Sequence, residues 1–156
     1  MRVGLAEKIS AKTPATSGAA LEIGSSTGTM LSELSNMGFN PVIGIEPNKR
    51  VANQAYRFSS CPVLKSLETL DFYHGEIEFD LVIALDVIEH LLEPDKELKK
   101  WLAKLKKGGI IFIECPDSGC PQALTGGINW DDYVVPSEHI FYFRREHLIK
   151  LLKDNG

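Results

Sequence analysis

The segment Ala20–Thr29, which reads ALEIGSSTGT, constrains the fold more than any other part of the chain. An apolar strand ends beside an acidic residue, and a glycine-containing turn then opens a helix. Gly24 and Gly28 let the turn tighten and let its backbone approach a ligand without an intervening side chain. The free N–H groups at the start of the helix point at the same space. The segment therefore predicts a site where backbone groups contact a nucleotide.

Two acidic residues narrow the kind of nucleotide that would fit. A carboxylate at Glu22, beneath the turn, would repel a pyrophosphate but attract an ammonium group. Glu46 ends the next apolar run, about 20 residues after the turn, where an acid is placed to accept hydrogen bonds from both ribose hydroxyls. We therefore expect a nucleoside that carries a positively charged amino acid tail.

Along the chain, apolar runs alternate with helical patterns, which predicts an α/β fold with a parallel sheet and helices on both of its faces. The fourth apolar run is almost continuously hydrophobic and is expected to be buried on both faces. The predicted strands are Ala19–Ile23, Pro41–Glu46, Pro62–Leu64, Phe79–Leu85 and Ile110–Cys115. The predicted helices are Thr29–Met37, Lys49–Phe58, Asp95–Leu105 and Arg144–Lys153, with Gly38 and Gly108 as caps after two of them and Leu98, Trp101, Leu102 and Leu105 as the buried face of the third.

The composition of the chain indicates how many domains it forms and which partners are disfavoured. The 156 residues, 44% of them apolar, are enough for one globular domain with a substantial core. The formal charge of −4 disfavours nucleic acid as a partner, because domains that bind nucleic acid are usually basic. Met1–Gly18 has no signal-peptide pattern, and no apolar run approaches the ~20 residues that span a bilayer. We expect a soluble cytoplasmic protein.

Three segments of the chain, LEIGSSTGT, GIEP and FDLVIALDVIEHL, resemble the class I S-adenosylmethionine-dependent methyltransferases, in particular the branch with an EHL segment after the fourth strand. The resemblance runs from about Ala19 to the last residue. It implies S-adenosylmethionine as the cofactor and S-adenosylhomocysteine as the product. The net charge and the aromatic residues late in the chain favour a small-molecule methyl acceptor, and the lack of a long apolar run predicts no membrane partner. The residues then expected to bind the cofactor are Glu22, Gly24, Ser25, Ser26, Gly28, Glu46, Pro47, Ala84, Leu85 and Asp86.

The resemblance also predicts the topology. It implies a doubly wound, mostly parallel, Rossmann-like sheet with strand order 3-2-1-4-5, in a single domain over residues 1–156. Relatives continue into two further strands that are missing here, so the domain is expected to be incomplete at its C-terminus. The strand Ile110–Cys115 is then an exposed edge, covered by a missing C-terminal segment or by a partner chain.

The sequence of the glycine turn also partly matches the motifs of two other classes of enzyme. The nicotinamide fingerprint GxGxxG would need glycines at Ser26 and Thr29, so hydride transfer is disfavoured. The turn also matches the GxSxG elbow of serine hydrolases, with Ser26 as nucleophile and His139 later in the chain. A hydrolase elbow follows several strands, and only Met1–Ser25 precede Ser26, so this alternative is the weaker one. A noncatalytic or truncated cofactor-binding domain remains the main alternative, because the family commonly has glycine at the position of Ser26.

The residues that would bind the methyl acceptor are predicted to lie in the last third of the chain. Residues 116–137 read as a long irregular loop, and loops of that length are usually functional or disordered. Its aromatic residues, with one that follows it, would line an acceptor pocket or form a small core of their own: Trp130, Tyr133 and Tyr142.

The next segment, PSEHIFYF, is similar to an EHxxxF segment of the same methyltransferase branch. We expect His139 to act as a general base, oriented by Glu138, if the acceptor must lose a proton. The alternative is that His139 bonds the loop backbone and holds it closed. Glu89 and His90 are expected either to cap or pin their turn or to take part in catalysis.

Cysteine and histidine patterns give little sign of further chemistry. Cys61, Cys115 and Cys120 are odd in number and lack CxxC spacing, so we interpret them as structural thiols. The four histidines show no HExxH or similar spacing, and the sequence predicts no metal site.

Overall fold

The computed structural model describes residues 18–131 and 138–156. Five strands form one sheet in the order β3-β2-β1-β4-β5, which confirms the predicted topology. Parallel pairing joins β1 to β2 and β4, and joins β2 to β3. The strands are β1 (Ala20–Ile23), β2 (Val42–Ile45), β3 (Val63–Leu64), β4 (Phe79–Leu85) and β5 (Leu105–Glu114). The helices are α1 (Thr29–Asn36), α2 (Lys49–Ser59), α3 (Leu67–His74), α4 (Pro94–Leu102), α5 (Pro121–Gly126) and α6 (Arg145–Asn155).

The described part of the chain divides into two compact units. The first unit consists of residues 18–84 and Lys104–Phe112, and it contains nearly all of the sheet together with α1, α2 and α3. The second consists of Leu85–Ala103 and the described residues after Phe112, and it contains α4, α5 and α6. No helix among the described residues is both long enough and apolar enough to cross a bilayer.

The core of the first unit lies on the two central strands. Leu21 of β1 and its register partner Val82 of β4 are both fully buried. Four consecutive residues of β4, from Leu81 to Ala84, have no exposed surface, as its continuous apolar sequence predicted. Leu31 and Leu34 occupy one face of α1 and are also fully buried, each with a stabilisation of about 1.5–3 kcal/mol. This packing fixes the turn between β1 and α1.

The third predicted helix and the fifth strand have different bounds from those expected. The helix α4 ends at Leu102, and β5 begins at Leu105 rather than Ile110. The backbone N–H of Phe79 donates to the carbonyl of Lys104 at 2.8 Å, so the chain has already joined β4 there. Gly108 lies inside β5, and its predicted role as a helix cap was wrong. The strand β5 ends the sheet, as predicted for its edge.

Two helices were missed by the sequence patterns. In α3, the Ser66 side chain accepts the Thr69 N–H and caps the helix, a signal that the sequence offered. In α5, the Cys120 thiol accepts the Ala123 N–H, so the first part of the loop predicted over 116–137 is helical rather than irregular. Residues 132–137 of that loop, including Tyr133, lie outside the described residues.

Asp80 of β4 contacts β5 and the residue just before β1 through one carboxylate oxygen. Its Oδ2 atom accepts the Ala19 N–H at 2.7 Å and the Lys106 Nζ at 2.8 Å. The hydrogen bond from Lys106 lowers the pKa of this carboxyl, with a smaller contribution from the Ala19 N–H. A lowered pKa in the folded state stabilises the protein at pH values above the unfolded-state pKa, and this stabilisation is lost as the pH falls through the folded-state pKa.

We therefore expect Asp80→Asn to lower the free energy of unfolding at pH 7 by up to about 1 kcal/mol, because the ion pair is half-exposed. Urea unfolding of both proteins across a series of acidic pH values should show the difference shrinking as the wild-type carboxyl becomes protonated. A difference that stays constant down to strongly acidic pH would show that the charge of Asp80 is not its source.

Candidate functional site

The turn after β1 is held against β2 by backbone hydrogen bonds. The N–H groups of Gly24 and Ser25 both donate to the carbonyl of Ile45, at 2.8 and 3.0 Å. The N–H of Gly28 closes the turn by donating to the Ser25 carbonyl at 2.8 Å. Gly24 has a φ of +72°, a left-handed conformation that favours glycine. The predicted tightness of the turn is thus visible in its hydrogen bonds.

Because Gly28 has no side chain, the backbone of α2, a helix of the same unit, can approach it closely. A Cβ atom at this position would lie 2.8 Å from the carbonyl oxygen and 2.9 Å from the Cα atom of Ala55, in α2. Gly28 also has a φ of +84° and is the N-cap of α1. The missing side chain of Gly28 thus makes room for α2, and the predicted approach of its backbone to a ligand stays a prediction.

The two serines of the turn have different environments. Ser25 is only 2% exposed, and its hydroxyl lies against Gly44, where an added Cβ atom would come within 2.8 Å of Oγ. Among the described residues this hydroxyl has no hydrogen-bond partner. Ser26 is exposed and has a φ of +44°, an uncommon conformation for a residue other than glycine. The departure from the usual glycine at Ser26 therefore coincides with a backbone conformation that glycine favours.

Glu46 lies beside this turn, as the sequence predicted from its place after β2. Its Oε2 atom accepts the Ser26 N–H at 3.2 Å, and its Oε1 atom accepts the Asn48 N–H at 2.9 Å. Each oxygen has capacity to accept a further hydrogen bond, for instance from a ribose hydroxyl. Pro47, between Glu46 and Asn48, is exposed, and the Asn48 side chain caps α2.

The remaining predicted cofactor residues of the first unit lie in the strands. Glu22 is 4% exposed and stands in register with Gly44 of β2 and Ile83 of β4. Ala84 is fully buried opposite Ile23. The first unit thus brings Ser26 and Glu46 into direct contact, while Leu85 and Asp86 belong to the second unit.

The second unit begins with a strained backbone position. Asp86 has a φ of +51°, and its N–H donates to the Glu114 carbonyl at 2.8 Å. Its side chain is exposed. Strained residues of this kind cluster at functional sites, where the surrounding structure holds them in place. A single 3₁₀ turn, Ile88–His90, follows directly.

This 3₁₀ turn is tied to the segment around His139. The Glu89 carbonyl accepts the N–H groups of Ile140 and Phe141, at 2.8 and 3.0 Å. The Nδ1 atom of His90 lies 2.6 Å from the Glu138 carbonyl oxygen. Glu89 and His90 thus pin the turn, one of the two roles expected of them. The hydrogen bonds bring together two segments that are distant in sequence.

His139 is half-buried and lies between two rings. Its ring centroid is 4.8 Å from that of His90 and 6.1 Å from that of Tyr142. The Glu138 side chain is exposed, and the contact that the structure shows for this residue runs from its backbone to His90. Trp130 and Tyr142, two of the aromatic residues suggested for an acceptor pocket, are half-buried.

Glu89 has an unusual environment for an acidic side chain. It is 1% exposed, and neither carboxylate oxygen has a hydrogen-bond partner among the described residues. Burial raises the pKa of this carboxyl, and the negative charge of Asp86 raises it further. Donor atoms of Glu89, His90 and His139 all lie within 4.8 Å of one another. Spacing motifs did not reveal this cluster, because one of its members comes from a distant segment.

The cysteines have local structural surroundings, as we interpreted them from the sequence. The Cys61 thiol lies 3.7 Å from the Leu31 carbonyl, and Cys120 caps α5. Cys115 lines a cavity of about 200 Å³ in the second unit, between the end of β5 and the start of α6. Burial raises the pKa of the Cys115 thiol to about 12, with further contributions from Glu89 and other nearby carboxylates. The thiol is therefore protonated at neutral pH.

Comparison with known proteins gives consistent matches. A family model described as a methyltransferase domain matches residues 4–156. A ubiquinone biosynthesis O-methyltransferase of Bradyrhizobium diazoefficiens is 25% identical in a 150-residue alignment that covers 83% of this chain and 57% of that protein. A tRNA U34 carboxymethyltransferase of Campylobacter hominis is 34% identical in a 101-residue alignment that covers 60% of this chain and 34% of that protein. The chain thus spans about half the length, or less, of the curated relatives it matches.

A solved structure extends this likeness to the fold. The SAM-dependent methyltransferase of Thermotoga maritima superposes with a TM-score of 0.73 at 25% identity, over 97% of this chain and 68% of that one. The alignment includes the sheet that carries the glycine turn. The sequence resemblance to class I methyltransferases is therefore confirmed, and with it S-adenosylmethionine as the cofactor of the family.

Proposed function

The chain belongs to this family of S-adenosylmethionine-dependent methyltransferases, and on that premise we propose that it transfers a methyl group from S-adenosylmethionine to a small-molecule acceptor. The observation that carries the proposal is the contact between Glu46 and the Ser26 N–H at the glycine turn. This contact places an anionic acceptor of hydrogen bonds beside the start of α1. The arrangement fits a nucleoside.

The residues of the first unit suit S-adenosylmethionine better than a dinucleotide. The Glu46 carboxylate would accept hydrogen bonds from ribose hydroxyls, and its charge would strengthen them. The buried carboxylate of Glu22 favours a ligand with an ammonium group and disfavours a pyrophosphate. When bound, the cofactor supplies an electrophilic methyl group on a sulfonium centre. The remaining predicted contacts, from Gly24, Ser25, Gly28, Pro47, Ala84, Leu85 and Asp86, are part of the same proposal.

The methyl transfer step mainly requires that the protein hold the acceptor in the correct position. Methyl transfer is an in-line displacement, so holding the acceptor in line and excluding water can supply most of the rate enhancement. An acceptor hydroxyl or amine must also lose a proton. We propose that His139, in the second unit, serves this proton transfer on the acceptor side. Its neighbour Glu138 was expected to orient it, but its structural contact is with His90.

A small acceptor is favoured over nucleic acid by charge. The net charge of −4 would oppose binding to a polyanion such as tRNA. One relative, by its name, acts in ubiquinone biosynthesis and another on tRNA, so both classes of acceptor occur among similar proteins. The second candidate function is a cofactor-binding domain without catalysis, which the serine at position 26 and its strained backbone favour.

The test is methyl transfer from labelled S-adenosylmethionine to a panel of phenols, amines and carboxylic acids, with bulk tRNA as a separate arm. We expect label on at least one small acceptor. His139→Asn should lower kcat by about 100-fold or more if it serves proton transfer, with little change in the KM for S-adenosylmethionine. His147→Asn, at an exposed position of α6, is the matched control and should retain activity.

Two results would contradict the proposal. Label on tRNA alone would replace the small molecule by a nucleic acid acceptor. Cofactor binding without label on any acceptor would favour the noncatalytic domain. Equal activity of the His139→Asn variant and the wild type would remove His139 from the chemistry while leaving the methyltransferase assignment in place.

A further inference from the structure

We propose that Glu89, His90 and His139 form a binding site for a divalent transition-metal ion, with zinc as the ion that the donor set suits best. All three residues belong to the second unit. Their donor atoms, one carboxylate oxygen and two imidazole nitrogens, lie within 4.8 Å of one another. In a tetrahedral zinc site with bonds of about 2.1 Å, the ligand atoms are about 3.4 Å apart. Binding would require rotations of the side chains that bring these atoms closer together.

The buried carboxylate is the strongest evidence that this cluster has a missing partner. Glu89 is 1% exposed, and both of its oxygens lack hydrogen bonds among the described residues. An unpaired buried carboxylate is costly, and native proteins usually satisfy such groups with a hydrogen bond, an opposite charge or a metal ion. A divalent cation between Glu89 and the two histidines would supply that opposite charge. Asp86, whose charge acts on Glu89, adds to the negative potential that attracts a cation.

His90 is held in the form that binds metals. Its Nδ1 atom lies 2.6 Å from the Glu138 carbonyl, and a carbonyl can only accept, so Nδ1 carries the proton. The Nε2 atom of the neutral ring is then left with its lone pair. Metal-binding histidines almost always donate their other ring N–H to a carbonyl or carboxylate in this way. The backbone of Glu138 therefore acts as a positioning group for the site.

The donor set also indicates the class of ion and its use. Two imidazoles and one carboxylate suit zinc and its neighbours, whereas magnesium and calcium prefer oxygen ligands alone. Three protein ligands leave a tetrahedral ion with one open position, as in catalytic zinc sites. If the proposed methyl transfer holds, an acceptor oxygen bound there would lose its proton more readily. His139 would then act as a metal ligand rather than as a base.

Metal binding can be measured without any acceptor or cofactor. We would treat the full chain with a chelator, remove it, and titrate with ZnCl₂ and separately with MgCl₂ by calorimetry. We expect one Zn²⁺ per chain and much weaker binding of Mg²⁺. Co²⁺ added in place of Zn²⁺ should give a visible absorption band that reports nitrogen ligands. His139→Ala should weaken Zn²⁺ binding by at least about 10-fold.

Matched variants separate this site from adventitious binding. His147→Ala removes an exposed histidine of the same unit outside the cluster, and it should leave Zn²⁺ affinity within about 2-fold. Glu89→Gln keeps the shape of the side chain and should weaken binding, with circular dichroism as the check on folding. Absence of Zn²⁺ and Co²⁺ binding, or Zn²⁺ binding equally strong in His139→Ala and wild type, would overturn the proposal. Because no methyl transfer is measured, neither outcome depends on the proposed function.

Discussion

Replacing Gly28 with alanine is expected to lower the free energy of unfolding by about 2–5 kcal/mol. A left-handed conformation costs a residue with a side chain about 1–2 kcal/mol, and forcing an extra methyl group into a packed contact costs about 1–3 kcal/mol. Gly28 meets both conditions, since its φ is +84° and an added Cβ atom would lie 2.8 Å from the Ala55 carbonyl oxygen. Urea unfolding of the two proteins measures the difference.

Gly108 provides a matched control for the conformational part of this effect. Its φ is +81°, nearly that of Gly28, but an added Cβ atom would meet nothing within 4 Å. Gly108→Ala should therefore cost only about 1–2 kcal/mol. The difference between the two variants measures the contact between the turn and α2. Equal destabilisation by both substitutions would show that this contact does not constrain the turn.

Replacing Glu46 with alanine is expected to weaken the binding of S-adenosylmethionine by about 1–3 kcal/mol, which is roughly 5-fold to 150-fold in Kd. The variant loses the charged acceptor proposed for the ribose hydroxyls. It also releases the N–H groups of Ser26 and Asn48, which the carboxylate holds in the free protein. Calorimetric titration of wild type and variant at one salt concentration measures the change.

Asn48→Ala tests whether weakening the start of α2, next to Glu46, is enough to reduce binding when both Glu46 contacts are kept. The Asn48 side chain caps α2 by accepting the N–H groups of Arg50 and Val51, at 3.1 and 3.3 Å, whereas its own backbone N–H still reaches Glu46. We expect this control to lose about 1 kcal/mol of stability and to keep its affinity for S-adenosylmethionine. An unchanged affinity in Glu46→Ala would remove Glu46 from the cofactor site.

Local sequence signals account for most of the sheet. Both β1 and β4 are apolar runs that end at a turn or an acid, and each lies within one residue of its predicted bounds. Such strands are easy to predict because strands buried on both faces have a nearly continuous hydrophobic sequence. The start of β5 was missed because LKKGG, its polar first half, is paired with β4 through contacts that no local pattern reports.

Features that depend on two distant segments were the least predictable. The motif identified Gly28 correctly as a turn residue, but its contact with Ala55 depends on how α1 and α2 pack. Similarly, Glu89 and His139 each belong to recognisable sequence segments, yet their proximity follows from the hydrogen bonds between the Glu89 carbonyl and Ile140 and Phe141. Spacing along the chain cannot encode this proximity, and a search for metal-binding motifs therefore fails.

Calorimetric titration of the purified chain with S-adenosylmethionine, S-adenosylhomocysteine and a nicotinamide dinucleotide shows whether the glycine turn and its two acids bind the cofactor. We expect micromolar binding of the first two ligands and none of the dinucleotide, because Glu22 and Glu46 favour a nucleoside with an ammonium group over a pyrophosphate. Binding of the dinucleotide alone, or of none of the three, would contradict this expectation.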